Sequence, residues 1–360
     1  MKIRFSLLAL ACGGLMTALT TPAQTIDLRI SVKIIVNPTT GARPAGISPL
    51  TFTNAVLAAN QWMASYWRGY RYRLTEVANI GGPSEGGTNG PSQWFGKNFR
   101  GDPLRASFFS LAQSDSRYRL RADQINVYVA TELAGPGNSG GAMPIPPGEV
   151  NYWGGQIFAD DGPWWVVHEL GHFFGLAHTH GGCGCPSTDG CTLLNGYWVG
   201  DDGLSDTLME ASGDFCFTNI NQLTLANFVK YFTNCTPAEQ TLAINTFSNA
   251  MSYHLPPQKN NVMNRLTEQQ MDRFTDHANG DRHAFVAAFT RFVSPGGNNA
   301  NSGLASAAPK RTVLSAVNAS AASGGDIVLL RPGHYNEQIT INKPVTLRAT
   351  RDGWATLGKP

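Results

Sequence analysis

Residues 164–180, WWVVHELGHFFGLAHTH, hold the densest chemistry in the chain. His168 and His172 stand four residues apart, so on a helix they share one face with Cβ atoms roughly 5–6 Å apart, a spacing that lets two imidazoles converge on one ion. Glu169 lies between them, and its carboxylate can reach a water beside the ion without ligating the ion itself, which a general base requires. Gly175 follows three residues after His172, where a glycine can take the positive φ that ends a helix and turns the chain sharply. His178 then returns toward the ion. Three neutral imidazoles leave the fourth position of a zinc ion open, the mark of a catalytic rather than a closed structural site. A bare HExxH also arises by chance on an amphipathic helix, but the glycine and third histidine in register have few such explanations. His180, two residues on, is the rival third ligand, with the poorer register.

Upstream of this helix, strands and helices alternate. Residues 28–36 (LRISVKIIV) are β-branched and alternating, and 70–80 and 125–130 also read as strands. Residues 48–68 place Phe52, Val56, Ala59, Met63 and Trp67 at helical spacing, 81–92 form a Gly, Pro, Ser and Asn loop, and 103–113 read as a short helix. The pattern predicts an α+β fold in which helices cover a twisted mixed sheet.

Composition bounds the partners and the compartment. Of 360 residues 42% are hydrophobic and only 14% charged, which excludes a disordered chain, and the length suits one large domain with a smaller appendage. The first 23 residues read as an export signal: Lys2 and Arg4, an apolar run from Phe5 to Leu19, then small residues at Thr21-Pro22-Ala23. Gly13 and Gly14 break that run, and it falls short of the ~20 residues that span a bilayer. Removing Lys2 and Arg4 from the 27 basic residues leaves 25 against 25 acidic ones, so no electrostatic footprint for nucleic acid or an anionic membrane is expected. The expected product is a soluble secreted or periplasmic protein without a membrane span. Five cysteines would remain (Cys183, Cys185, Cys191, Cys216 and Cys235), enough for two disulfides with one left over. Zinc ligation by these cysteines is the competing idea, but Cys183-Gly-Cys185 lacks the two-residue gap of a zinc knuckle.

HELGHFFGLAH resembles the zinc-binding consensus of the metzincin metallopeptidases. Asn249-Ala250-Met251-Ser252-Tyr253 is similar to the methionine turn of their pappalysin-like group, as is Gly200-Asp201-Asp202-Gly203-Leu204-Ser205-Asp206-Thr207 to a segment that follows a cysteine there. Residues 266–274 (LTEQQMDRF) resemble the helix after the turn. The likeness covers about 28–292 and is densest from 164 to 275. It implies a metzincin-like domain over 24–293 with an active-site helix, zinc held by His168, His172 and His178, and Glu169 as general base and acid toward a protein or peptide substrate. Met251 would form the base beneath the ion, and Tyr253 would stabilise the oxyanion. Asp202, Asp206 and Thr207 would hold a structural Ca²⁺, or else simply make turns and caps. Leu208 stands where that group carries proline. Only a few residues separate Ala23 from the first strand, so an inhibitory pro-segment is not expected.

After Phe292 the character of the sequence changes. Residues 294–310 (SPGGNNANSGLASAAPK) have the composition of a flexible linker. Within 311–360, residues 325–335 and 339–347 give short alternating strands, a short β-rich C-terminal segment that resembles the opening rungs of a right-handed parallel β-helix. Contact with a polysaccharide or a cell surface is what that resemblance implies. The leading expectation is an exported zinc endopeptidase; the alternative is a non-enzymatic adhesion or carbohydrate-binding protein on a metzincin scaffold.

Overall fold

The computed structural model describes residues 25–85, 89–97, 104–130, 152–154, 164–181, 203–207, 210–211, 237–238, 248–252 and 266–358. Strand β1 (Ile26–Val36) is the centre of the molecule, and its last seven residues are all buried. The strand is covered on both faces even though its sequence alternates, since the polar Ser31 and Lys33 are buried along with the apolar residues between them. Helix α1 (Pro49–Ser65) starts at a capping box, with Thr51 N donating to Ser48 Oγ, Ser48 N donating to Thr51 Oγ1, and Pro49 in the first turn. It buries Phe52, Val56, Ala59 and Met63 as the spacing predicts. Trp67 departs from that prediction: its φ is +57° and it is 44% exposed, because the helix has already ended and the chain is turning through Gly69 into β2 (Tyr70–Gly81).

Beyond β2, helix α2 (Leu104–Ser114) leads to β3 (Ile125–Val129) and β4 (Tyr152–Gly154), and the sheet runs in the order β2-β1-β3-β4. The sequence predicts a mixed sheet; among the described residues every strand pairing in it is parallel, and the one antiparallel contact to it is the isolated bridge Leu28–Val286. Long connections cause this, since α1 carries the chain from β1 back to the start of β2, whereas an antiparallel pair needs only a hairpin.

The fold is thus mixed α/β, with five helices and small parallel sheets among the described residues. One face of the sheet (Leu28, Ile30, Val32, Ile34, Val127, Val129) packs on α1 and on two later helices, α3 (Trp164–Phe173) and α4 (Glu268–Asn279). Each fully buried side chain of this kind contributes about 1.5–3 kcal/mol. The opposite face carries a separate cluster around Ile35, Trp94, Phe108, Tyr118 and Tyr128. Two short strands, β5 (His180–Gly181) and β6 (Glu210–Ala211), pair in parallel after α3. No helix among the described residues is long and apolar enough to cross a membrane.

The C-terminal part stacks strands in parallel. β7 (Thr290–Val293) pairs with β8 (Ile327–Leu330), which pairs with β10 (Thr346–Ala349), while β9 (Gly333–Tyr335) pairs with β11 (Ala355–Leu357); α5 (Val313–Ala319) precedes β8. Of the strand expected over 339–347, only the last two residues belong to one, since Pro344 lacks the N–H a ladder needs. Residues 294–310 have the composition of a linker yet form a bonded loop: Ser294 N donates to Lys310 O at 2.9 Å, Asn298 N to Pro309 O at 3.0 Å, and Lys310 Nζ to Asn301 O at 2.6 Å. Small residues permit this folding because they let backbone approach backbone; a Cβ on Gly297 would strike the Lys310 carbonyl.

This C-terminal part is joined to the body through α4. Arg68, 1% exposed, reaches Glu268 at 2.6 Å and Asp272 at 2.9 Å; Arg351 pairs with Glu268 at 2.8 Å, and Arg331 pairs with Asp272. Ile327 of β8 belongs to the main core.

Candidate metal centre

Helix α3 carries two of the three histidines. Its apolar face, Val166, Val167, Leu170 and Phe173, is buried in the main core, so the packing that fixes the helix also fixes His168 and His172 on the neighbouring face. The helix then ends in a Schellman motif: Leu176 N donates to Gly171 O and Gly175 N to His172 O, both at 2.9 Å, with Gly175 at φ +82°. Arg282 completes this end, its Nε donating to Phe173 O at 3.0 Å and its guanidinium lying over the Phe173 ring. The chain leaves Gly175 in the direction that returns His178 to the helix.

The three rings converge. His178 Nε2 lies 3.2 Å from His168 Nε2 and 2.9 Å from His172 Nε2, and the three candidate ligand atoms all fall within 4.8 Å of one another. His168 and His172 are buried and His178 is partly exposed. His168 Nδ1 sits 2.7 Å from the carbonyl of Ala250, and His172 Nδ1 2.6 Å from that of Leu176. A carbonyl only accepts, so each Nδ1 carries the proton and each Nε2 presents a lone pair to the shared centre. Neutral imidazoles with inward lone pairs and backbone-fixed tautomers are the donor set of a divalent transition-metal site. The three histidines fit such an ion, zinc included.

Around the rings, Glu169 is buried beside His168 on α3, at 8% exposure. Met251 is fully buried, and its sulfur occupies the space where a Cβ on Gly171 would stand, 2.7 Å away. A side chain at 171 would have to displace the Met251 sulfur. Met251 belongs to a tight turn, in which Ser252 N donates to Asn249 O at 3.3 Å. Thr179 N reaches Met251 O at 3.3 Å, tying the His178 segment to the same turn.

Asp206 accepts from Thr267 Oγ1 at 2.7 Å and from Gln269 N at 3.0 Å, so both its oxygens serve the N-terminus of α4. A carboxylate there also meets the positive end of the helix dipole. Of the two expectations for this segment, the capping role is the one the geometry supports for Asp206; Thr207 is buried. Asp202, Tyr253, the export segment 1–23 and the cysteines Cys183, Cys185, Cys191, Cys216 and Cys235 lie outside the described residues, as does the side chain of His180.

Sequence reasoning did not single out Gly171, Arg282, Asn249, Gln270 or the carbonyls of Ala250 and Leu176. Gly171 was visible as the small residue inside HELGH; backbone carbonyls carry no sequence signal at all. No family model matches the chain, and no curated protein matches its sequence.

Proposed function

We propose that this chain is an exported zinc endopeptidase of the pappalysin-like metzincin type. The observation that carries the reading is the convergence of three Nε2 atoms whose Nδ1 partners on His168 and His172 are held by backbone carbonyls. The HExxHxxGxxH spacing and the buried methionine turn at Met251 add to it. A scaffold without chemistry has no physical need for three converging imidazoles and an adjoining buried carboxylate.

In this reading His168, His172 and His178 hold the ion, which when bound supplies Lewis acidity toward a scissile carbonyl and toward water. Glu169 takes the proton of the attacking water and hands it to the departing amine nitrogen, a transfer worth about 10²–10⁴-fold in rate. Tyr253 donates its hydroxyl to the oxyanion of the tetrahedral intermediate, a contribution that preorganised donors make cheaply in a shielded site. Met251 shapes the floor beneath the ligands. Residues 1–23 act as the export signal, 24–293 form the peptidase domain, and the cysteines pair in the oxidising compartment. The parallel stacking of 290–357 supports a partial β-helix, a segment suited to polysaccharide or cell-surface contact.

The test is hydrolysis of casein by purified protein, inhibited by a zinc chelator and restored by added Zn²⁺. Glu169→Ala is expected to retain stoichiometric zinc and lose cleavage by at least about 10²-fold. His172→Ala is expected to lose the metal as well. Full activity in Glu169→Ala would refute the assignment of the base, and folded protein without transition metal would refute the centre.

A further inference from the structure

Asn249 and Gln270, both fully buried, face each other as a doubly bonded amide pair. Asn249 Nδ2 donates to Gln270 Oε1 at 2.8 Å, and Gln270 Nε2 donates to Asn249 Oδ1 at 3.2 Å. Each amide has a second task. Gln270 Oε1 also accepts from Thr267 N at 3.0 Å, which closes the capping box of α4. Asn249 Oδ1 also accepts from Met251 N at 2.9 Å, which shapes the turn. Ala250 sits between those two anchor points, and its carbonyl is the acceptor for His168 Nδ1.

A continuous path therefore runs from a helix terminus to a ligand ring. The far end is firmly held, since α4 is secured by Asp206 at its N-terminus and by Arg68, Arg331 and Arg351 along its first turns. A capping box needs only one oxygen from Gln270, and filling the space around Asn249 needs no amide. Two desolvated amides are costly unless every polar atom is satisfied. Here they satisfy one another in a single orientation, and that orientation sets where the Ala250 carbonyl points.

We infer that the Asn249–Gln270 pair is a positioning element of the metal centre. It fixes the Ala250 carbonyl, through it the tautomer and direction of the His168 ring, and thereby the affinity of the site, without touching the ion. The inference rests on the zinc reading given above.

Gln270→Met removes both inter-residue bonds at nearly constant volume and keeps a good helix former, and Asn249→Ser keeps a short acceptor for Met251 N while breaking the pair. Thr312→Ala is the control: it deletes the cap of α5, where Ser315 N donates to Thr312 Oγ1 at 3.2 Å, and among the described residues no hydrogen bond links Thr312 to the histidine ligands or to the Asn249–Gln270 pair. For each full-length variant, zinc affinity is read by competition with a chromogenic chelator, the visible spectrum of the Co²⁺-substituted protein reports ring geometry, and a thermal midpoint reports folding. Gln270→Met and Asn249→Ser should weaken zinc by about 10-fold, the low end for partners behind a ligand, and shift the Co²⁺ bands. Thr312→Ala should lower the midpoint with native affinity and native bands. Native affinity and bands in both folded pair variants would overturn the inference and leave the zinc reading standing. Should Gln270→Met fail to fold, Asn249→Ser decides alone. Absence of zinc uptake by the unaltered protein would overturn the zinc reading and the inference together.

Discussion

Replacing Gly175 by alanine tests whether the turn after α3 is what brings the third histidine home. Gly175 has φ +82°, where an L side chain costs about 1–2 kcal/mol. A Cβ there would also fall on the His277 ring, at its Cδ2 and Nε2. That ring is held by its Nδ1 bond to Asp281 at 2.9 Å, so relief requires either breaking this pair or shifting α4 against α3, an overpacking cost of about 1–3 kcal/mol. The two terms place Gly175→Ala about 2–5 kcal/mol below the native protein, a large share of the ~5–15 kcal/mol that holds a typical domain together. The damage should also reach the ligands, since Leu176, the next residue, supplies the carbonyl that orients His172 at 2.6 Å. Urea denaturation of chelator-treated protein measures the first effect, and zinc competition at a urea concentration where both proteins are folded measures the second. Gly296→Ala is the matched control, because a Cβ there meets nothing within 4 Å and it should cost less than about 0.5 kcal/mol. If Gly175→Ala behaves like Gly296→Ala in both assays, the turn is not under the constraint described and the argument fails.

Two further outcomes follow from buried charges. Lys33, fully buried on β1 and bonded to Asn126, has its amine pushed down to about 7, chiefly by burial, with Arg121 adding to the effect and Glu76 opposing it. The unfolded chain keeps that proton to about pH 10, so between roughly 7 and 10 the unfolded state binds more protons and stability should rise with pH; below 7 both states are charged and the full cost of burial remains. Lys33→Met leaves Asn126 Oδ1 still accepting from Arg121 N at 2.9 Å, so it should raise the urea midpoint at pH 6–7 and flatten that rise; an unchanged pH dependence would count against the account. Arg68→Met should cost about 3–5 kcal/mol, because it strips a buried partner from Glu268 and Asp272, whereas Arg73→Met, at a site 62% exposed, should change stability by less than about 1 kcal/mol in the same denaturation assay. Equal effects of the two would show that the buried network does not couple α4 to the body.

Much of the centre was legible before any coordinates because its geometry is local. The i, i+4 spacing of His168 and His172 and the glycine at 175 belong to a helix and its terminus, and a helix imposes the same geometry wherever it occurs. Strand β1 was legible for a related reason, since alternation and β-branching report local backbone preference. Trp67 misled because helical spacing says nothing about where a positive φ stops the helix, and 294–310 misled because small polar residues make linkers and tight bonded loops alike.

The linear order of residues was enough to name the three histidines and Glu169, since helical spacing and the glycine that ends the helix place them, while Met251 was named only through a resemblance. It was silent on what holds them: the Ala250 carbonyl behind His168, 82 residues away in the chain, the Asn249–Gln270 amides, and the arginines that tie the C-terminal strands to α4. Those contacts exist only after distant segments are packed together, because a backbone carbonyl or a buried amide acquires its partner from the whole fold rather than from its neighbours in sequence.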